Sequence, residues 1–201
     1  MNYVHCVTPL YSMGTASKVE GSHAMNIIHI TGASGSGTST LGRAIEERFG
    51  HKWLDTDDYF WLPTDPPYAE QRLVEERVKL IEQDIEKYPR CAISGSLCNW
   101  GNPLIPRFDL VVFLYASTDI RIERLIKREY ENFGERTLEG GDMYENHVEF
   151  IDWARNYDVF DISRRSLARH EEWLKLMLCP VLRLDGTRVV DELVGEIAHV
   201  F

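Results

Sequence analysis

The sequence lacks the features that would place a chain in a membrane or on a nucleic acid. No apolar run reaches the ~18 residues needed to span a bilayer, and the first residues lack the basic start and apolar stretch of a secretory signal. Acidic residues outnumber basic ones by 32 to 22, which gives a net charge of -10. Because nucleic-acid binding needs a basic surface, we expect a cytoplasmic protein with no membrane and no nucleic-acid partner.

Cysteine is also scarce. The chain has four cysteines, and they are widely separated, with no C-x-x-C pair: Cys6, Cys91, Cys98 and Cys179. This spacing argues against a zinc site. We expect buried or incidental thiols in a reducing compartment.

The length of 201 residues suits one α/β domain with room for a lid or small insert. Residues 1–24 show no hydrophobic periodicity, and we interpret them as a leader, a tag or a disordered segment. The fold is expected to begin at Met25 and to occupy residues 25–201 as a single domain.

From Met25 onward, short apolar runs alternate with amphipathic ones, which predicts a parallel sheet covered by helices on both faces. The predicted strands are Asn26–Ile30, His51–Leu54, Cys91–Ile93, Leu110–Leu114 and Val181–Leu184. The predicted helices are Ser39–Phe49, Ala69–Lys87, Thr118–Tyr130, Tyr144–Arg155, Ser163–Met177 and Val189–Val200.

The strongest motif lies at the first strand-to-helix turn. Glycines let a loop fold tightly and turn its N–H groups toward phosphates, and the following helix adds positive potential at its N-terminus. A final Ser or Thr can ligate magnesium. The predicted nucleotide-binding residues here are Gly32, Ser34, Gly35, Ser36, Gly37, Thr38, Ser39 and Thr40. The alternative is a Gly/Ser-rich turn that binds nothing.

One part of the usual phosphate loop is missing. In the pattern G-x-x-x-x-G-K-S/T, Thr38 occupies the lysine position, and it cannot supply a cation to the β- and γ-phosphates. We therefore expect arginines from elsewhere in the chain to supply that charge, or the charge to be left unfilled.

The chain resembles the nucleoside monophosphate kinase and shikimate kinase branch of the P-loop kinases. It is most similar to bacterial adenylate-kinase-like proteins in four segments: GASGSGTST (Gly32–Thr40), DTDDYFW (Asp55–Trp61), SGSLCNWG (Ser94–Gly101) and VLRLDGT (Val181–Thr187). The resemblance implies a three-layer α/β P-loop NTPase fold with a five-stranded parallel sheet in the order 2-3-1-4-5. It also implies an acceptor-binding region at about 56–90 and a helical lid at about 129–162.

The resemblance further implies ATP, or another nucleoside triphosphate, and Mg2+ as cofactors. Ser39 and Asp55 correspond to the magnesium-binding positions, and Asp57 matches the acid that holds acceptor hydroxyls. An aspartate at that place could also accept the hydroxyl proton. The alternative is a solvated acidic turn or helix cap.

Several arginines match positions that contact nucleotide or phosphate in the family. Arg124 and Arg128 lie four residues apart and share one helix face, although a solvated face is the alternative. Arg164 and Arg169 match lid arginines that close over the transferring phosphoryl group. Arg165 is expected to point elsewhere. We predict that Arg128, Arg164 or Arg169 replaces the missing lysine.

The remaining predicted contacts surround the acceptor and the adenine. Ser94, Gly95 and Trp100 are expected to line the acceptor pocket, and Arg72 could pair with an anionic group or remain a surface arginine. No cation lies between the third strand and Arg107, which favours a neutral or polyhydroxyl acceptor. Gly186 and Thr187 are expected against the adenine, although a plain D-G turn is the alternative.

These features favour a Mg-ATP-dependent kinase that phosphorylates a small molecule, either a nucleotide or a hydroxylated metabolite. Two alternatives remain because Thr38 replaces lysine. One is a nucleotide-binding protein without transfer activity, and the other is a nucleoside triphosphatase without an acceptor. A monomer and a homodimer are both compatible with the sequence.

Overall fold

A parallel sheet forms the centre of the molecule. The computed structural model describes residues 26–200, so the predicted leader at 1–24 and Cys6 lie outside the described residues. The strands are β1 (Ile27–Gly32), β2 (Lys52–Asp55), β3 (Cys91–Ser94), β4 (Leu110–Tyr115) and β5 (Val181–Asp185). All neighbouring pairs are parallel, in the order β2-β3-β1-β4-β5, which confirms the predicted fold class.

Helices follow the strands along the chain. They are α1 (Thr38–Phe49), α2 (Thr56–Phe60), α3 (Val74–Lys87), α4 (Thr118–Phe133), α5 (Tyr144–Arg155), α6 (Leu167–Leu174) and α7 (Val190–Ala198). Two 3-10 helices span Asn102–Arg107 and Gly134–Thr137. Among residues 26–200, no helix has both the length and the apolar content that crossing a membrane requires.

The alternation of side chains along each strand creates two cores. Val111 and Phe113 of β4 pack on the side that carries α3 and α6. Their neighbours Val112 and Leu114 pack on the opposite side, with α1 and α7. Because successive strand residues point to opposite faces, one strand supplies both cores, and the sheet becomes the middle of three layers.

The helix predicted at Ala69–Lys87 begins later, at Val74, and that boundary was wrong. Residues before Val74 run instead as an extended strap. Leu62 N–H donates to Glu70 O, Arg72 N–H donates to Phe60 O, and Trp61 bridges Gln71 in antiparallel fashion. The amphipathic period was correct from Val78 onward, but these cross-strap hydrogen bonds replace the first helical turn.

The helix predicted at Ser163–Met177 is also shorter, at Leu167–Leu174. Ser166 caps it, because its hydroxyl accepts from the N–H of Arg169 at 3.0 Å. Asp161 accepts from the N–H and the hydroxyl of Ser163, and it thereby closes a turn before the cap. Arg164 and Arg165 therefore lie in a loop before α6, not on its first turn.

Candidate functional site

The predicted phosphate loop joins β1 to α1 at the carboxyl edge of the sheet. Its backbone turns tightly: Ser36 N–H donates to Ala33 O at 3.1 Å, and Gly37 caps α1. Gly35 has a φ of 82°, a conformation that L side chains rarely adopt. The sequence-predicted setting of strand, glycine loop and helix is therefore present.

The turn after β5 lies against this loop at the same carboxyl edge of the sheet. Gly186 N–H donates to Tyr115 O at 2.7 Å, which holds the D-G turn after β5 beside the end of β4. A Cβ on Gly186 would lie 2.3 Å from Ser36 O, so only glycine allows this approach. Asp185 shapes the turn by accepting from the N–H and the hydroxyl of Thr187.

Ser39 and Asp55 meet at the mouth of the loop. The Ser39 hydroxyl donates to Asp55 Oδ2 at 3.0 Å, and Asp55 Oδ1 accepts from Asp57 N–H at the start of α2. Among residues 26–200, no group of three or more His, Cys, Asp or Glu side chains could hold a metal. A hydroxyl and one carboxylate nevertheless fit Mg2+, because that ion usually keeps waters and phosphate oxygens as its remaining ligands.

Ser36 adds a second observation that fits a phosphate. Its hydroxyl is buried and has no hydrogen-bond partner among the described residues. A buried polar group without a partner is costly. A phosphate oxygen held by the loop would satisfy such a hydroxyl, so the loop suits the cofactors that the resemblance implies.

Asp57 is the second residue of α2, and its side chain is exposed to solvent. Loss of solvation by the surrounding protein and the nearby carboxylate of Asp55 raise the pKa of Asp57. The positive charges of Arg165 and Arg128 act in the opposite direction and lower it. These two arginines therefore lie close enough to the predicted acceptor-binding acid for their charges to act on it.

Arg124 lies against the phosphate loop. Its Nη1 donates to Gly186 O at 2.9 Å and to Gly35 O at 3.3 Å. It thereby joins the loop to the D-G turn. Its helix neighbour Arg128 pairs with Glu129 at 3.1 Å and remains half-exposed.

Arg164 and Arg169, which were predicted to contact the transferring phosphoryl group, contact different parts of the protein. Arg164 is exposed and lies over the ring of Phe160, with 5.0 Å between the guanidinium carbon and the ring centroid. Arg169 donates to Ile162 O at 2.9 Å and to the side chain of Asn99. The structure does not bring either of them against the phosphate loop.

Arg165 was expected to point in a different direction from its neighbour Arg164, and it does, because its guanidinium lies over Trp153 and not over Phe160. Its charge acts on Asp57, Cys98, Tyr157 and His170, so it lies among the acceptor-side residues. Its Nε is buried without a hydrogen-bond partner among residues 26–200. The loop before α6 explains the difference, because adjacent loop residues follow no helical spacing.

The other residues predicted to bind the acceptor make hydrogen bonds within the protein. Arg72 donates to Tyr59 O and Trp61 O and so fixes the strap. Trp100 is buried, and its indole N–H donates to Ser96 O at 3.1 Å. Ser94 accepts from the indole of Trp53 at 2.9 Å, and the Gly95 N–H donates to Ile30 O.

His170, which was expected to be structural, and Tyr157, for which no role was predicted, lie next to the segment that follows β3. His170 is fully buried, and its ring contacts the Ser96 hydroxyl at 3.2 Å and the Tyr157 hydroxyl at 2.6 Å. Burial, together with the charge of Arg165, lowers the pKa of His170 to about 3. The partners lie 74 and 13 residues away in sequence, so no spacing signal could reveal this cluster.

Comparison with known proteins agrees with this geometry. A family model described as AAA domain matches residues 28–151. The uncharacterized protein YqaC of Bacillus subtilis is 44% identical over 170 residues, covering 85% of this chain and 94% of YqaC. A cytidylate kinase of Methanothrix thermoacetophila is 31% identical over 147 residues, covering 68% of this chain and 83% of that protein.

Solved structures share the fold at low sequence identity. Shikimate kinase from Bacteroides thetaiotaomicron has a TM-score of 0.55 and 17% identity, covering 88% of this chain and 98% of that chain. Shikimate kinase from Acinetobacter baumannii, in complex with shikimate, has a TM-score of 0.54 and 14% identity, covering 88% and 93%. The sheet order, the loop and these matches together show that the chain belongs to the AAA-domain family and has a P-loop kinase fold.

Proposed function

We propose that the protein is a Mg-ATP-dependent phosphotransferase for a small molecule, within an adenylate-kinase-like group. The observation that carries this proposal is the contact between Ser39 Oγ and Asp55 Oδ2 at the mouth of the phosphate loop, with Asp57 two residues beyond Asp55. This places a magnesium-type oxygen pair and a second carboxylate at adjacent positions. The acceptor-binding region is residues 56–90, and the lid-like region is residues 129–162.

The chain's own residues then divide the work. The loop N–H groups hold the phosphates, and Ser39 and Asp55 would hold a Mg2+ ion that would offset negative charge on them. The acceptor hydroxyl oxygen bonds to the γ-phosphorus while the bond to the bridging oxygen of ADP breaks. Asp57 takes the hydroxyl proton, for which its raised pKa suits it.

Positive charge must reach the transferring phosphoryl group from side chains, since Thr38 carries none. Arg124 contacts the loop, and the charges of Arg128 and Arg165 act on Asp57. Phosphoryl transfer depends mostly on positioning and on neutralising charge. We therefore assign the role of the missing lysine to arginines, with Arg128 retained from the sequence prediction and Arg165 added.

The test is a transfer assay. Purified protein with Mg-ATP is incubated with hydroxylated metabolites and nucleoside monophosphates, including shikimate and cytidylate, and acceptor-dependent ADP formation is measured. We expect Asp57→Asn to lower transfer by about 100-fold or more while leaving ATP affinity near wild type. Asp58→Asn, the adjacent exposed carboxylate, is the matched control and should transfer normally. An active Asp57→Asn variant would remove Asp57 from the mechanism.

A second candidate follows from Thr38. Without a loop lysine, the protein could bind ATP, or hydrolyse it, without transfer to any acceptor. ATP binding with no acceptor-dependent ADP across the panel would favour the nucleotide-binding protein. Hydrolysis that Asp57→Asn leaves unchanged would favour the triphosphatase.

A further inference from the structure

A fully buried arginine in the first turn of α4 bonds to several parts of the fold. The Nε of Arg121 donates to Ala116 O, just after β4, at 3.0 Å, and its Nη1 donates to Ala154 O, in the last turn of α5, at 3.1 Å. Its Nη2 donates to Thr118 Oγ1 at 3.0 Å and to Asp158 Oδ2 at 2.8 Å. The guanidinium group therefore joins the end of β4, the end of α5 and the segment after α5 to the start of α4.

This set of contacts requires a guanidinium group. Arginine presents its donors on three nitrogens in one plane, whereas lysine has a single charged nitrogen. One nitrogen cannot reach acceptors on β4, α4 and α5 together. A buried charge is tolerated where it is paired and hydrogen-bonded, and Asp158 supplies the opposite charge. The ring of Tyr157 lies 5.1 Å from the guanidinium carbon and covers one face of the group.

The main chain of the same residue supports the phosphate loop. A Cβ on Gly35 would lie 2.7 Å from Arg121 O and 3.1 Å from Arg121 Cα, so the loop packs directly on the first turn of α4. One turn further along the helix, Arg124 donates to Gly35 O at 3.3 Å. The position of this part of α4 therefore sets the position of Gly35.

Helix α5 lies within the region that the family resemblance assigns to a lid, yet it packs on α4. Arg121 bonds to its last turn, and an apolar cluster joins the two helices. The buried members of that cluster are Ile122, Leu125, Ile151 and Ala154. The segment between the helices is built differently, because Gly134 and Gly140 have φ values of 56° and 90° and an added Cβ would meet nothing within 4 Å. We expect motion in residues 134–143 and not in α5.

We propose that Arg121 is a positioning residue of the nucleotide site, which makes α5 and the part of α4 under the phosphate loop one rigid unit. The ligand of the loop is the triphosphate group of a nucleotide, so the inference rests on the proposed function. A ligand that orders one part of a rigid unit also orders the rest. Nucleotide in the loop therefore stabilises α5 through Arg121, without a contact between α5 and the ligand.

The first test measures amide hydrogen exchange in the unliganded protein, because exchange reports local opening. In the wild type, the amides of α5 should exchange about as slowly as those of α4, and residues 134–143 should exchange faster. Arg121→Lys should speed exchange in α5 by about 30-fold or more relative to β1, since at least two hydrogen bonds are lost. The amides of β1 in the same variant correct for any general loss of stability. Equal changes in α5 and β1 would overturn the proposal.

Two further variants complete this test. Arg48→Lys, at an exposed position in the last turn of α1, is the matched control and should leave exchange in α5 unchanged. Asp158→Asn carries the test where Arg121→Lys does not fold, because asparagine keeps an oxygen acceptor and removes only the charge. It should speed exchange in α5 by about fivefold relative to β1. Exchange in α5 that Asp158→Asn leaves unchanged would then overturn the proposal.

The second test repeats the exchange measurement with saturating Mg-ATP, so that differences in affinity do not enter. We expect ATP to slow exchange in wild-type α5 by about tenfold and to slow the amides of Gly35 and Gly37. In Arg121→Lys, the effect on Gly35 and Gly37 should remain and the effect on α5 should be lost. Slowing of α5 by the same factor in both proteins would show that α5 contacts the nucleotide directly, and it would overturn the proposal.

These measurements require no phosphoryl transfer. A protein that shows the expected exchange in α5 but transfers no phosphoryl group in the acceptor panel would refute the proposed function and leave the role of Arg121 standing. A transferase in which Arg121→Lys changes α5 and β1 equally would refute the role of Arg121 and leave the proposed function standing. ATP that has no effect on the amides of Gly35 and Gly37 would refute both.

Discussion

The two sides of the candidate site are built in different ways. The phosphate side is a continuous stretch of backbone, Gly32–Thr40, whose shape depends on glycine conformations and on close approach to Gly186. The acceptor side is assembled from side chains far apart in sequence, among them Ser96, Arg165 and His170. The difference teaches that the phosphate side depends on local backbone conformation, whereas the other side depends on contacts between distant segments of the chain.

The largest expected effect concerns acid and the acceptor side. His29 and His170 are fully buried, and loss of solvation lowers their pKa values to about 4 and about 3, below the ordinary 6.5. Because the unfolded chain binds these protons first, folding is favoured above pH 6.5 and loses stability as pH falls. Each histidine should cost roughly 3 kcal/mol by pH 4.

Urea unfolding between pH 7 and pH 4 checks this prediction. Two such losses approach the whole stability of a small domain, which is about 5–15 kcal/mol. His29→Gln should reduce the pH dependence of the unfolding free energy by about one proton, since it removes one titrating ring. An unchanged dependence in that variant would show that His29 does not titrate in this range.

The next effect concerns the phosphate side. Gly35→Ala forces a residue with a side chain into a φ of 82° and places its Cβ 2.7 Å from Arg121 O. Strain and overlap together should cost about 2–4 kcal/mol of stability and weaken nucleotide binding. Thermal unfolding and ATP titration measure both.

Gly195→Ala is the matched control for that substitution. Gly195 lies inside α7, and its added Cβ meets nothing within 4 Å. It should leave ATP affinity unchanged and raise stability by about 0.5–1 kcal/mol. Equal losses of stability and ATP affinity in the two variants would contradict a special need for glycine at position 35.

A smaller effect concerns the arginine that holds the loop against the D-G turn. Arg124→Ala removes donors to Gly35 O and Gly186 O and leaves both carbonyls to solvent. ATP affinity should fall by about tenfold, which ATP titration measures. An unchanged affinity would show that Arg124 does not help to hold the loop in its binding shape.

The smallest expected effect concerns whether arginines supply the positive charge that the loop lacks at Thr38. Thr38→Lys restores the residue of the usual phosphate loop at a partly exposed position. If arginines already neutralise the phosphates, transfer should rise by no more than about tenfold. A rise of 1,000-fold or more, measured against the same acceptor, would instead show that the wild-type site lacks the charge.

Local patterns accounted for most of the fold. The strand runs, the amphipathic helices and the glycine loop are all found near their predicted places, because each depends on neighbours in sequence. The predicted first residues of α3 and α6 were wrong. Hydrogen bonds across the strap set the start of α3 at Val74, and the Ser166 cap sets the start of α6 at Leu167. Arg165, Ser96 and Tyr157 were missed or set aside because their partners come from distant segments.

The sequence by itself determined the glycine loop and the parallel sheet, since glycine conformations and strand periodicity are local properties. Only the tertiary structure decided which arginine charges act on Asp57, and that a buried histidine connects Tyr157 to Ser96. The physical reason is the folding of the loop before α6 against the end of β3. That contact joins residues about 70 positions apart, a distance over which no sequence period extends.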